Sequence, residues 1–170
     1  MAQVNWIEEF SRCAVNQETE MPEGKWLQID EASDVVMSLR HLRECLKLVG
    51  DDPSAWKWAI FAVHNALQGA MTCHVNGTAN LGCLTKKSAT EWLTWYREGR
   101  HGNQPSGRLA TPPVLFERLH NADKRPEPNG GEVLSLTADH KLAFELVNGL
   151  RNKFVHFTPK TWLLEYSGLP

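Results

Sequence analysis

The C-terminal part of the chain contains three polar side chains that could carry out proton transfer beside a developing negative charge. The segment LAFELVNGLRNKFVHF, residues 142–157, places Arg151, Asn152 and His156 within an otherwise apolar run. An imidazole with a pKa of about 6.5 can accept a proton at neutral pH. A permanently charged guanidinium fork stabilises an anion such as a phosphate, and a neighbouring amide can orient either group. These three residues are therefore the candidate catalytic set.

Helical geometry places the three side chains along one edge of the predicted last helix. Asn152 and His156 lie one turn apart, whereas Arg151 is about 140° from His156 and borders the apolar arc. Gly149, one turn before Lys153, leaves a notch for the close approach of another surface, and a helical glycine costs about 1 kcal/mol relative to alanine. A structural alternative stays open, in which Arg151 caps carbonyls, Asn152 faces solvent and His156 interacts favourably with the helix C-terminus.

Four substantial helices are predicted to position these residues, and no strand is convincing. Residues 31–49 show the three- and four-residue apolar spacing of a core-facing helix. The next helix, the most apolar, is predicted to begin at Asp52 as N-cap, with Pro53 in the first helical position. The third shows a capping box in which Ser88 precedes Glu91 by three residues.

A segment rich in glycine and proline, residues 99–131, separates the third helix from the last and contains one short helix after Thr111. The last helix is predicted to begin at Thr137. The pattern predicts an all-α fold, an antiparallel four-helix bundle with this loop-rich excursion. We assign residues 1–170 to a single domain, with an irregular N-terminal arm at 1–30 and the bundle core at 31–160.

Composition excludes several classes of protein. The 18 basic and 20 acidic residues leave a net charge of −2, so no basic excess exists to bind nucleic acid non-specifically. The four cysteines form no C-x-x-C pair and no metal-binding spacing, which favours buried thiols, no metal and no cofactor. The chain shows neither a signal peptide nor a membrane-spanning apolar run. We therefore expect a cytoplasmic protein that has no membrane partner.

The R-N-x-x-x-H pattern near the end of the last long helix of an all-α bundle resembles the HEPN domain. The signature of that family is an arginine followed a few residues later by a histidine, with asparagine directly after the arginine in its commonest form. In this chain Arg151, Asn152 and His156 match it. The resemblance does not cover the N-terminal arm or the excursion.

The resemblance implies a homodimer that acts as a metal-independent endoribonuclease, toxin-like and serving defence or stress. Two last helices would face each other across a two-fold axis, so that both R-N-x-x-x-H sets line one cleft. His156 would take the proton of a ribose 2′-hydroxyl, and Arg151 would stabilise the attacked phosphate. The products would be a 2′,3′-cyclic phosphate and a 5′-hydroxyl.

A toxin branch of the family carries tyrosine two residues after the histidine. This chain has Thr158 there, so regulation by nucleotidyl transfer is not inferred.

Two further functions remain open beside the nuclease. The same fold could be a catalytically inactive HEPN-like module that binds a nucleotide or a protein partner. A chain without a special site could also be an interaction protein that assembles through its helical face. The residues do not identify an RNA substrate, nor do they indicate whether a protein antidote exists.

Other polar residues could support this site. His64 and Gln68 interrupt the most apolar helix four residues apart, and each needs a partner because an unpaired buried polar group costs about 1–3 kcal/mol. We hypothesise that this pair meets the Arg151 and Asn152 edge and fixes its rotamers, with Glu145 supporting the same edge. In the alternative, backbone or water satisfies these groups.

Basic residues could guide an RNA backbone towards the cleft. Arg97, Arg100 and Arg108 lie in or beside the flexible segment EGRHGNQPSGR, and Lys153 lies beside Asn152. A merely solvated loop is the alternative interpretation.

Overall fold

The computed structural model describes residues 27–77, 79–126, 130–156, 159, 161 and 163–165. Most of the predicted N-terminal arm, residues 1–26, lies outside this part. In the described ranges the chain forms five α-helices and one 3-10 helix: α1 Glu31–Leu48, α2 Ala55–Val75, α3 Lys86–Arg97, α4 Pro112–His120, the 3-10 helix Ala122–Lys124 and α5 Ala138–Val155. These ranges contain no strand, only an isolated antiparallel bridge between Leu84 and Leu109. The all-α prediction is confirmed.

Two helices begin with a reciprocal capping box. At α1, the Asp30 carboxylate accepts a hydrogen bond from the Ser33 amide (2.7 Å), and the Ser33 hydroxyl accepts one from the Asp30 amide (2.9 Å). The hydrogen bond from the Ser33 amide is the largest cause of a lowered pKa at the Asp30 carboxyl. At α5, the Thr137 hydroxyl accepts from the His140 amide, and His140 Nδ1 accepts from the Thr137 amide. The predicted start at Thr137 is confirmed.

The predicted start of α2 is wrong by two residues. The N-cap is Ser54 rather than Asp52, and Ala55 is the first helical residue. The Asp52 carboxylate accepts a hydrogen bond from the Ser54 amide (2.9 Å), while its carbonyl accepts from the Ala55 amide (3.0 Å). A tight turn around Pro53 therefore precedes the helix.

The predicted capping box of α3 is also wrong. Thr85 is the N-cap, and its hydroxyl accepts a hydrogen bond from the Ser88 amide (3.3 Å). The Ser88 hydroxyl instead accepts one from the amide of Arg108, across the excursion (3.3 Å). Glu91 forms an exposed ion pair with Lys87 (3.8 Å).

Helix α2 lies at the centre of the fold. It packs most extensively on α1 and also packs on α4 and α5. Met71, Val75 and Leu115 are the largest fully buried side chains, and the Phe116 and Phe144 rings stack with their centroids 4.1 Å apart. The core therefore joins α2, α4 and α5.

None of the helices in the described residues has both the length and the apolar character needed to cross a bilayer.

The excursion contributes to this core. Leu115 and Leu119 of the short helix α4 are buried, and the Ala110 amide donates to the Cys83 carbonyl (2.9 Å). Within the described part, α3 makes no comparably extensive packing with another helix. Residues 99–131 therefore do more than connect two helices.

A buried arginine ties the excursion to the turn before α3. Arg118 donates from Nη1 to the carbonyls of Gly82 (2.8 Å) and Leu84 (2.7 Å), and from Nε to the carbonyl of Lys124 (3.2 Å). Arg125 in turn donates from Nε to the Arg118 carbonyl (2.8 Å). The three bonds that Arg118 donates satisfy backbone oxygens outside the α-helices, and the Arg125 bond satisfies a carbonyl in the last turn of α4.

Candidate functional site

The three candidate catalytic residues lie at the C-terminal end of α5. Arg151 is half-buried and donates from Nη1 to Oδ1 of the exposed Asn152 (3.1 Å). His156 follows the helix as its C-cap, is exposed, and donates its backbone amide to the Asn152 carbonyl (2.9 Å). No hydrogen bond joins the His156 ring to another described residue. Thr158, on which the regulatory expectation depended, lies outside the described residues.

The outward side of α5 carries exposed apolar residues. Phe144 and Leu150 are buried, whereas Leu142 and Leu146 are 66% and 51% exposed. A Cβ placed on Gly149 would meet nothing within 4 Å. Glu145, predicted to support the site, is also exposed. The polar edge of the helix therefore lies beside an apolar surface that the described chain does not cover.

A buried histidine contacts the inner side of α5. His64 is 2% exposed, and its Nε2 lies 3.3 Å from Oδ1 of Asn148. An amide oxygen can only accept, so Nε2 carries the proton and Nδ1 is an acceptor in the neutral ring. Nδ1 is buried and has no partner within the described part of the chain.

Burial is the main cause of a lowered pKa at His64. The hydrogen bond with Asn148 opposes this shift, and the positive charge of Arg151 adds to it. A second unpaired buried atom, Nε of Arg151, lies on α5. Nε1 of Trp92 and Nε1 of Trp95, both on α3, are likewise buried without a partner in the described chain, so unpaired buried atoms are not confined to the neighbourhood of His64.

Gln68 lines a cavity that His64 does not line. It is half-buried and lines a cavity of about 410 Å³ together with Glu31, Asp34 and Thr72. Among the described residues, Gln68 forms no hydrogen bond with Arg151 or Asn152; its carbonyl accepts one from the Thr72 hydroxyl (2.9 Å). The structure thus places His64, but not Gln68, beside α5.

The basic residues proposed to guide RNA are all exposed. Arg100 has a positive φ of 65° and lies over the Tyr96 ring, with its guanidinium carbon 5.4 Å from the ring centroid. Arg97 and Arg108 flank the same loop, whereas Lys153 lies beside Asn152 on α5. Since α3 and α5 do not pack extensively, these residues form two separate groups.

Two of the three cysteines that the structure describes are buried. Cys45 and Cys83 are buried, Cys73 is half-buried, and burial raises the pKa of the Cys45 thiol. The Cys83 thiol donates to Oδ1 of Asn76 (3.1 Å). Over the described ranges, no group of three or more His, Cys, Asp and Glu side chains is arranged to hold a metal ion.

Stability should depend on the protonation of His64. The lowered pKa means that the unfolded chain binds more protons below about pH 6.5, so stability should fall as the pH drops from there towards the folded pKa. The slope for one proton reaches about 1.4 kcal/mol per pH unit. Urea unfolding of His64→Gln across this range should show a flatter profile than wild type.

The matched control for this measurement is His41→Gln, because His41 is exposed on α1. Its profile should follow that of wild type. Parallel profiles for wild type and His64→Gln would contradict the assignment of this pH dependence to His64.

Sequence reasoning missed two residues that this structure makes prominent, Asn148 and Arg118. Asn148 lies four residues after the buried Phe144, and Arg118 lies three residues after the buried Leu115. This spacing puts each polar side chain on a core-facing stripe, which is the signal that could have identified them.

In comparisons with known proteins, no family model, no curated protein and no solved structure matches the chain.

Proposed function

We propose that two copies of this chain pair through α5 and form a metal-independent endoribonuclease of the HEPN type. The observation that carries the proposal is the hydrogen bond between Arg151 and Asn152, together with the exposed His156 one turn after Asn152, at a helix end that the described residues leave open. In a HEPN-like bundle the four long helices would be antiparallel, and the site would be completed by the second copy.

The outward face of α5 supports pairing of two copies. Leu142 and Leu146 expose apolar surface there, and the open space at Gly149 allows another backbone to approach. Among the described helices, α2 packs most extensively on α5, and it contacts the side that carries Asn148. A two-fold contact would cover this patch with its own copy.

The proposed reaction uses one imidazole from each copy. His156 of one copy accepts the proton of the ribose 2′-hydroxyl, whose oxygen attacks the adjacent phosphorus. The bond from phosphorus to the 5′-oxygen breaks, and that oxygen takes a proton from the imidazolium of the second copy. Asn152 holds Arg151 through Nη1, so Nη2 is left to bind the phosphate oxygens, where negative charge accumulates.

The proposal is tested by measuring assembly and cleavage together. Wild type should be a dimer and cut structured RNA in EDTA, leaving 2′,3′-cyclic phosphate and 5′-hydroxyl ends. The double variant Leu142→Glu, Leu146→Glu should be monomeric by sedimentation, because it places charges in the apolar contact. Its cleavage rate should fall by about 100-fold or more if the second copy supplies a catalytic acid.

The matched control is Leu39→Glu, Leu46→Glu, which changes two exposed leucines of α1. It should remain dimeric and active. Cleavage by the α5 variant as a monomer, or cleavage that requires a metal ion, would refute the composite site.

A second candidate is an inactive module of the same fold that binds a nucleotide or a protein partner. The partial burial of Arg151 favours it, because the buried Nε of the guanidinium is not accessible to a substrate. A dimer that binds nucleotides saturably but cuts no RNA in the same assay would support this candidate.

A further inference from the structure

A cavity rich in cationic side chains lies between the start of α3 and the 3-10 helix. Its volume is about 280 Å³, and Lys86, Arg118, Lys124 and Arg125 line it together with one carboxylate, that of Asp123. None of the four cations belongs to α5, so the cavity is separate from the proposed nuclease site. The excess of positive charge favours an anionic occupant.

Arg118 is the residue that points to a ligand. It is 3% exposed, and its Nε and Nη1 are used by three backbone carbonyls. Its Nη2 makes no hydrogen bond to the described chain, and no described carboxylate forms an ion pair with it. An arginine stays charged even when buried, and a buried charge without a counter-ion is unfavourable. An anion in the cavity would neutralise this charge.

The start of α3 supplies a second source of positive potential. Thr85 satisfies only the Ser88 amide with its side chain, and the amides of Lys86 and Lys87 make no hydrogen bond within the described chain. Unpaired amides and the helix dipole both favour an anion at the beginning of a helix. Lys86, the first helical residue, lines the cavity.

From these observations we infer that the cavity binds the phosphate group of a small phosphomonoester. A monoester carries close to two negative charges at neutral pH, which matches a site where Lys86 and Arg118 form no ion pair within the described chain. Lys124 contributes less, because its ammonium lies 3.7 Å from the Glu117 carboxylate. The volume is near the lower end of ligand pockets, and it suits a phosphate with a short substituent. The inference does not depend on nuclease activity.

The test is calorimetric titration of the full-length protein at constant ionic strength. Inorganic phosphate and ribose 5-phosphate should bind saturably, and the monoanionic diester dimethyl phosphate should bind at least about tenfold more weakly. The variant Lys86→Gln, Lys124→Gln should raise the Kd for inorganic phosphate by about tenfold or more. Both lysines are exposed, so the fold should be retained.

Lys87→Gln is the matched control, since Lys87 lies in the same helical turn but does not line the cavity. It should change the Kd by less than about twofold. The inference would be overturned if no ligand bound saturably, if the diester bound as tightly as inorganic phosphate, or if Lys87→Gln weakened binding as much as the double variant.

Discussion

Replacing His156 with alanine is expected to lower the rate of RNA cleavage by about 10²- to 10⁴-fold, the range for loss of a general base. The ring is exposed and forms no hydrogen bond with the described chain, so the free energy of unfolding should stay within about 0.5 kcal/mol of wild type. Initial rates on a structured RNA in EDTA, together with urea unfolding, measure both quantities. The prediction depends on the proposed nuclease activity.

The matched control is His41→Ala, which removes another exposed imidazole but from α1. Its rate should equal that of wild type, because α1 is not part of the proposed groove. If His156→Ala cleaved at the wild-type rate, the activity would have to come from elsewhere in the chain or from a contaminant. The assignment of His156 as proton acceptor would then be wrong.

Local signals predicted the start of α5 correctly but that of α2 two residues too early. Thr137 and His140 form their capping box within one turn, so no distant residue is needed to specify the start of α5. At α3, two hydroxyl residues three positions apart compete for the N-cap. Thr85 takes it, while Ser88 binds the Arg108 amide, a contact that depends on how the excursion folds.

The candidate site shows the same division between local and distant contacts. The placement of Arg151, Asn152 and His156 at the end of one helix follows from helical periodicity. The contact of His64 with Asn148 joins residues separated by 84 positions and depends on the rotation of α5 against α2. Periodicity alone does not fix that rotation, which is why Asn148 was not predicted as the partner.

Arg118→Met should be the most destabilising of the substitutions considered. Methionine keeps much of the side-chain volume but leaves the carbonyls of Gly82, Leu84 and Lys124 without their donors. An unsatisfied buried acceptor costs about 1–3 kcal/mol, and this applies in full to the Gly82 carbonyl alone, because the bonds to Leu84 and Lys124 are only partly buried. The loss should therefore total about 2–4 kcal/mol. For a domain of this size, the Tm should fall by about 10 °C.

Arg118→Lys separates the role of charge from that of geometry, because a lysine keeps the cation but lacks the planar fork. It should lose most of the same stability, since a single ammonium cannot reproduce donors at both Nε and Nη1. Arg40→Met, at an exposed position on α1, is the control and should stay within about 0.5 kcal/mol of wild type. Full stability in Arg118→Met would mean that water replaces the guanidinium and that the other contacts of the excursion, such as the Ala110 and Arg108 hydrogen bonds and the packing of α4, are sufficient to hold it.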